Sequence, residues 1–237
     1  MKEKIYNILK LSISLLLFFS INIIISFILK SINIDIKSLS SKFQVIYQLI
    51  ISIIMFILVF ILYFKTIKKD YKELKKHIGK NIKDIIKLFL IFMIVKYIVS
   101  FITILLMTIL KLDIESVTSV NQTLIENYVK TAPILMVITT SILAPIYEEI
   151  LFRLGFKKVF NKGLLFVLIS GFVFGLLHVF PLTEGVSLTL GIVQSISYVT
   201  MGIFLAYIYN KTNNIFISIG VHFLNNFISI LTMINMM

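Results

Sequence analysis

Apolar residues run almost unbroken through seven stretches of the chain, roughly 7 to 29, 44 to 64, 88 to 110, 134 to 156, 164 to 181, 188 to 209 and 214 to 236, with polar residues gathered between them. Runs of about 20 apolar residues are long enough to cross a hydrocarbon core of about 30 Å as helices. The pattern predicts an all-α polytopic transmembrane bundle of about seven helices. A hairpin between the fourth and fifth stretches is expected to turn near 161 to 163.

The segment 65 to 87 follows a different pattern. At about 100° per residue, its nine lysines share an arc of about 140°. Ile67, Tyr71, Leu74, Ile78, Ile82 and Ile85 take the opposite arc. This predicts a cytoplasmic amphipathic helix in the inner interface, its lysines meeting the anionic lipids of that leaflet.

Composition narrows the class further. Of 237 residues, 59% are hydrophobic and 14% charged, against about 45–50% apolar and about 25% charged in soluble domains. That excludes a soluble globular enzyme. The absence of cysteine excludes disulfide frameworks and thiolate metal sites.

The net charge of +12 invites a nucleic-acid reading, but the placement of the lysines argues for membrane topology and no nucleic-acid partner. With the N-terminus in the cytoplasm, 17 basic residues fall on the inner side and 5 on the outer, while Lys96 lies inside the third stretch. The asymmetry predicts an integral protein of the plasma membrane with its C-terminus outside.

Ionisable residues inside apolar runs are costly and mark function. Glu148 and Glu149 are the two acids of 11 that sit within such a run, and His178 and His222 are two of the three histidines. Glu149 and Arg153 are four apart on one helical face and suit an internal ion pair, which leaves Glu148 free. Pro145 removes a backbone hydrogen bond just before them.

Phe174 and His178 share a face of the fifth stretch, as His222 and Asn226 do on the seventh. About 15 residues separate Glu148 and His178 from the expected turn, which sets both at one depth, roughly 22 Å from it. A free carboxylate, two imidazoles and an amide at one level meet the needs of hydrolysis. Glu or His supplies a general base for water, and Asn or His donates to an oxyanion.

Three motifs therefore stand in order on separate helices: Glu-Glu-x-x-x-Arg at 148 to 153, Phe-x-x-x-His at 174 to 178 and His-x-x-x-Asn at 222 to 226. In these, and in the stretch 201 to 214 that leads into the third, the chain resembles the CPBP family. This family comprises type II CAAX prenyl proteases and bacteriocin-processing or immunity proteins, and is also called the Abi family. The resemblance covers about residues 131 to 232.

The resemblance implies an intramembrane endopeptidase whose catalytic groups match Glu148, His178, His222 and Asn226, supported by Glu149, Arg153 and Phe174. It divides the chain into a variable N-terminal part, 1 to 130, and a catalytic bundle, 131 to 237. The expected substrate is a membrane-presented peptide or a CAAX-like protein, reached from the cytoplasm or laterally from lipid.

The family has been described both as metalloprotease and as glutamic protease. Glu148, His178 and His222 have the ligand types of an open His2Glu zinc site, but such a site also needs a separate carboxylate as base, and Glu149 is committed to Arg153. The expectation is hydrolysis without a metal, by Glu148 and His178 activating water while His222 and Asn226 stabilise the oxyanion, with zinc as the alternative. The rival function is a non-catalytic immunity or peptide-binding membrane protein.

Overall fold

The computed structural model describes residues 2–113, 120–160, 163–180 and 186–237, apart from the side chains of residues 37, 120 and 121. Eight helices carry these residues: α1 (Lys2–Ser31), α2 (Ser41–Lys76), α3 (Ile78–Ile109), α4 (Val120–Thr131), α5 (Pro133–Val159), α6 (Gly163–Leu177), α7 (Leu188–Thr212) and α8 (Ile215–Asn235). All except α4 and α6 are long and apolar enough to cross a membrane. The chain is a polytopic helical membrane protein. Of the expected turn after α5, residues 161 and 162 lie outside the described residues.

The fifth apolar stretch yields a shorter helix than its neighbours. α6 has 15 residues, about 22 Å, and does not span about 30 Å of hydrocarbon. Its register against α7 shows where it stops. Gly163 lies beside Asn210, Gly171 beside Ile203 and Gly175 beside Val199, so the two helices run antiparallel from a common end. His178, just past α6, stacks on Tyr198, ten residues into α7. α6 therefore ends about 15 Å short of the start of α7.

Glycine makes this approach possible. A Cβ on Gly175 would overlap the Val199 backbone, one on Gly202 would overlap the Gly171 carbonyl, and one on Gly171 would lie 2.6 Å from the Ile203 nitrogen. Small residues let membrane helices pack backbone to backbone. The main apolar core forms beside this seam, where Leu11 of α1 and Met55, Val59 and Tyr63 of α2 meet Ile150, Leu151, Phe152 and Leu154 of α5, Phe166 and Phe174 of α6 and Ala206 of α7.

The 65 to 87 segment departs from its expected form. It is the end of α2 and the beginning of α3, separated by a break at His77, and not one interfacial helix. The Asn81 side chain donates to the Leu74 carbonyl across the break at 2.9 Å. Asp70 anchors α2 to the bundle: its carboxylate accepts from the Ile215 amide at 3.0 Å, while the Asn214 side chain donates to the Asp70 carbonyl. A carboxylate at a helix N-terminus satisfies otherwise unpaired amides and complements the helix dipole. This tie holds the end of α2 against α8. All nine lysines remain on the exposed face, while Ile67 is buried and Ile85 packs on Gly220.

The 12-residue α4 was not anticipated from hydropathy. It is mostly polar, and it buries Tyr128 and Val129 against Val45, Met136 and Ile230.

Gly175→Ala is expected to lower the melting temperature and membrane abundance of the protein, since overpacking a tight contact costs about 1–3 kcal/mol. Gly79→Ala, where a Cβ meets nothing within 4 Å, should leave both unchanged. Thermal unfolding of the two detergent-purified variants provides the comparison.

Candidate active site

Helix α5 is not uniformly α-helical where it carries the acidic pair. Wide i→i+5 turns over Val137–Leu143 and Ile150–Gly155 flank the α-helical Ala144–Glu149. Pro145 has no amide to donate and its ring crowds the preceding turn; widening the turn accommodates it. Such π-turns recur at functional sites. Here they set the faces on which Glu148, Glu149 and Arg153 emerge.

Glu149 and Arg153 are both fully buried. Arg153 Nε donates to Glu149 Oε2 at 3.1 Å. Its Nη1 donates to Ser170 Oγ at 2.8 Å, and Ser170 Oγ donates onward to the Phe152 carbonyl at 2.6 Å. The guanidinium carbon lies 4.6 Å from the centre of the Phe174 ring, a cation–π contact. Glu149 also accepts from the Ser218 hydroxyl and from His222 Nδ1 at 3.1 Å. One carboxylate thus gathers α5 and α8 and, through Arg153, α6.

Glu148 points elsewhere. Its side chain keeps 12% of its surface exposed and its Oε2 stands 3.8 Å from His222 Nε2. His222 is therefore held between the two acids, Nδ1 on Glu149 and Nε2 towards Glu148. Among the described residues no N–O contact within 4 Å joins Glu148 to His178. The imidazole facing Glu148 is that of His222, not the His178 of the expected pairing.

His178 Nδ1 lies 2.8 Å from the Phe174 carbonyl. A carbonyl only accepts, so Nδ1 carries a proton, and in the neutral ring Nε2 is then the acceptor. The ring is sandwiched by Phe174 at 4.4 Å and Tyr198 at 5.0 Å between centroids. Phe174 itself is fully buried and also meets His222 edge-on at 5.8 Å.

Asn226 lies one turn beyond His222. Its Nδ2 donates to the Thr140 carbonyl at 2.9 Å and its Oδ1 accepts from Asn225 at 3.0 Å, leaving one amide hydrogen uncommitted. Asn225 Oδ1 in turn accepts from Lys96 Nζ at 3.2 Å, which places the one intramembrane lysine of α3 at the same cavity.

Glu148, His178, His222, Asn226 and Lys96 all line a cavity of about 1010 Å³, at the upper end of the roughly 300–1,000 Å³ common for ligand sites. Glu149, Arg153 and Phe174 lie behind it and take no part in its wall. Among the described residues, no three His, Asp or Glu side chains converge as a group able to hold a metal ion. The zinc alternative has the ligand types at hand without their convergence.

Ser170, Ser218, Tyr198 and Asn225 were not singled out in the sequence. For the two serines a signal existed: Ser170 precedes Phe174 by four residues and Ser218 precedes His222 by four. Each motif therefore extends one turn earlier on the same helical face. Tyr198 is fixed by the α6–α7 register, which no local spacing reveals.

With this geometry in place, comparison with known proteins is informative. Residues 130–228 match the family model described as type II CAAX prenyl endopeptidase Rce1-like. No curated protein and no solved structure matches the chain. The matched segment is less than half of the chain and contains all three motifs, and it bears out their recognition as those of the CAAX protease family. The match supports, at the level of that family, an intramembrane endopeptidase of the CAAX type.

The buried pair sets an expectation for mutants. Glu149→Ala should reduce abundance, since stranding one partner of a buried ion pair costs about 3–5 kcal/mol. Adding Arg153→Met should restore much of that abundance by removing the stranded charge. Quantitative blotting of membranes from the single and double variants checks it; equal abundance of Glu149→Ala and wild type would contradict a structural role for the pair.

Proposed function

We propose that the protein cleaves peptide bonds of membrane-presented peptides by a glutamate-activated water. The observation that carries this reading is the division of labour between adjacent acids: Glu149 is saturated by Arg153, Ser218 and His222, while Glu148 faces the cavity beside His222 Nε2. In the proposed step Glu148 takes a proton from water as the hydroxide oxygen bonds to the scissile carbonyl carbon. Glu148 then delivers that proton to the amine as the C–N bond breaks.

The other groups are assigned by what each has left to offer. His178 Nε2, with its lone pair set by the Nδ1 hydrogen bond, accepts a hydrogen bond from the attacking water and orients it. The uncommitted amide hydrogen of Asn226 faces the developing oxyanion, together with His222, which is aimed through Nδ1 by Glu149 and donates from Nε2 when its ring carries both protons. Glu149, Arg153 and Phe174 act as positioning groups. The nine exposed lysines of the α2–α3 junction meet the anionic lipids of the inner leaflet, with the N-terminus in the cytoplasm and the C-terminus outside the plasma membrane.

Glu148→Gln is expected to abolish cleavage with the protein inserted and as abundant as wild type, because it removes a base without stranding a charge. Peptide profiles of membranes containing wild type or Glu148→Gln, compared by mass spectrometry, test this. Identical profiles would favour the non-catalytic immunity or peptide-binding reading.

Activity of the purified enzyme should survive a strong chelator. Chelation that abolishes cleavage, with recovery on stoichiometric zinc, would overturn the metal-independent step and make Glu148, His178 and His222 ligands.

A further inference from the structure

We infer that the cavity is entered from the lysine-poor side of the membrane, so that the substrate is a peptide segment presented outside the cytoplasm and not at the lysine-rich inner face. The inference deepens the proteolytic reading in naming the substrate's side and kind; the direction of access stands on geometry independent of catalysis.

The wall of the cavity comes from one end of the bundle. Each contributing helix lines it with its middle or with the half remote from the lysine clusters, as Asn22 of α1, Gln48 of α2, Ser100 of α3, Thr140 of α5, Ser197 of α7 and Ser229 of α8 show. Helix α4 lies at that same end and lines it with Tyr128, whose hydroxyl donates to Gln44 of α2 at 2.8 Å.

Among the described residues the opposite end is tightly packed. Beneath Glu148, Ile150, Leu151, Phe152, Leu154 and Phe156 are at most 4% exposed, and Arg153 is fully buried. Below them Lys157 Nζ caps the Tyr209 and Asn210 carbonyls at 3.4 Å, and the Asp70–Asn214 tie closes the start of α8. A peptide coming from the lysine-rich side would have to break both the core and these caps.

The lining also selects the kind of occupant. Amides and hydroxyls recur on every wall, and Glu148 and Lys96 are its formal charges among the described residues. A polypeptide unwound at membrane depth must have its backbone groups hydrogen-bonded, which this lining supplies and a lipid chain does not require. The lysine asymmetry of 17 to 5 assigns the end that holds the cavity to the outside.

The chain has no cysteine, so single-cysteine variants report access directly. Gln48→Cys and Ser229→Cys mark the cavity, and Lys158→Cys marks the exposed lysine-rich end. A membrane-impermeant maleimide applied to intact spheroplasts should label the two cavity variants, and Lys158→Cys only after inversion or lysis. Cavity variants labelled only from inverted vesicles would overturn the inference, whichever side Lys158→Cys reports.

The proteolytic reading is tested apart from access. Quenched fluorescent peptides of mixed sequence, added outside right-side-out vesicles, should be cleaved by wild type and not by Glu148→Gln. External labelling without any cleavage would keep the direction of access and remove the protease. Cleavage confined to inverted vesicles would reverse the side and keep the enzyme.

Discussion

The arrangement of the site depends on one buried ion pair. Moving a carboxylate and a guanidinium out of water is expensive, and their mutual attraction offsets that only when the remaining donors and acceptors also find partners. Here Ser170, Ser218 and His222 supply hydrogen-bond partners and the face of Phe174 lies against the guanidinium, leaving Arg153 Nη2 as the one atom of the pair without a hydrogen bond among the described residues. These partners come from two further helices, so satisfying the pair fixes the relative positions of α5, α6 and α8. The same demand orients His222, and thereby delivers Nε2 to the neighbouring acid. A costly charge inside the membrane becomes the device that sets the geometry of the cavity wall.

Much of this was legible because the membrane makes polar residues conspicuous. In a chain so apolar, Glu148, Glu149, His178 and His222 stand out by hydropathy alone, and the four-residue spacing of Glu149 and Arg153 already separates the two acids. Ser170 and Ser218 escaped because serine is close to neutral in hydropathy and common in membrane helices; only their i−4 relation to Phe174 and His222 marks them. The pairing of Glu148 with His222 depends on how α5 and α8 face each other, and spacing within one helix carries no such information.

The fold was legible to the same degree and for the same reason. Hydropathy located the apolar stretches but gave no view of α4, whose 12 residues are polar on one side and buried on the other. Periodicity detected the lysine face of 65 to 87 correctly and misread its continuity. A break at His77 changes the helical phase little, and the cause of the anchoring, Asp70 on the start of α8, is a contact 145 residues apart in sequence. The end of the bundle at which the cavity lies was likewise hidden, being set by which halves of the helices are polar towards one another.

The length of α6 links these features. A helix that stops at membrane depth leaves terminal carbonyls that hydrocarbon does not satisfy. Irregular backbone there is tolerated only where it is buried in protein or lines a polar cavity. At the end of α6 the His178 amide and side chain bond to the Gly175 and Phe174 carbonyls, and the Val179 and Phe180 amides turn back to Leu176. The proton that His178 uses for this capping is the one whose placement frees Nε2. Truncating the helix thus creates the polar level, and the residue that caps it is one of the two imidazoles lining the cavity. A full-length α6 would carry position 178 inside a continuous backbone ladder, with no terminal carbonyl at Phe174 to fix the tautomer.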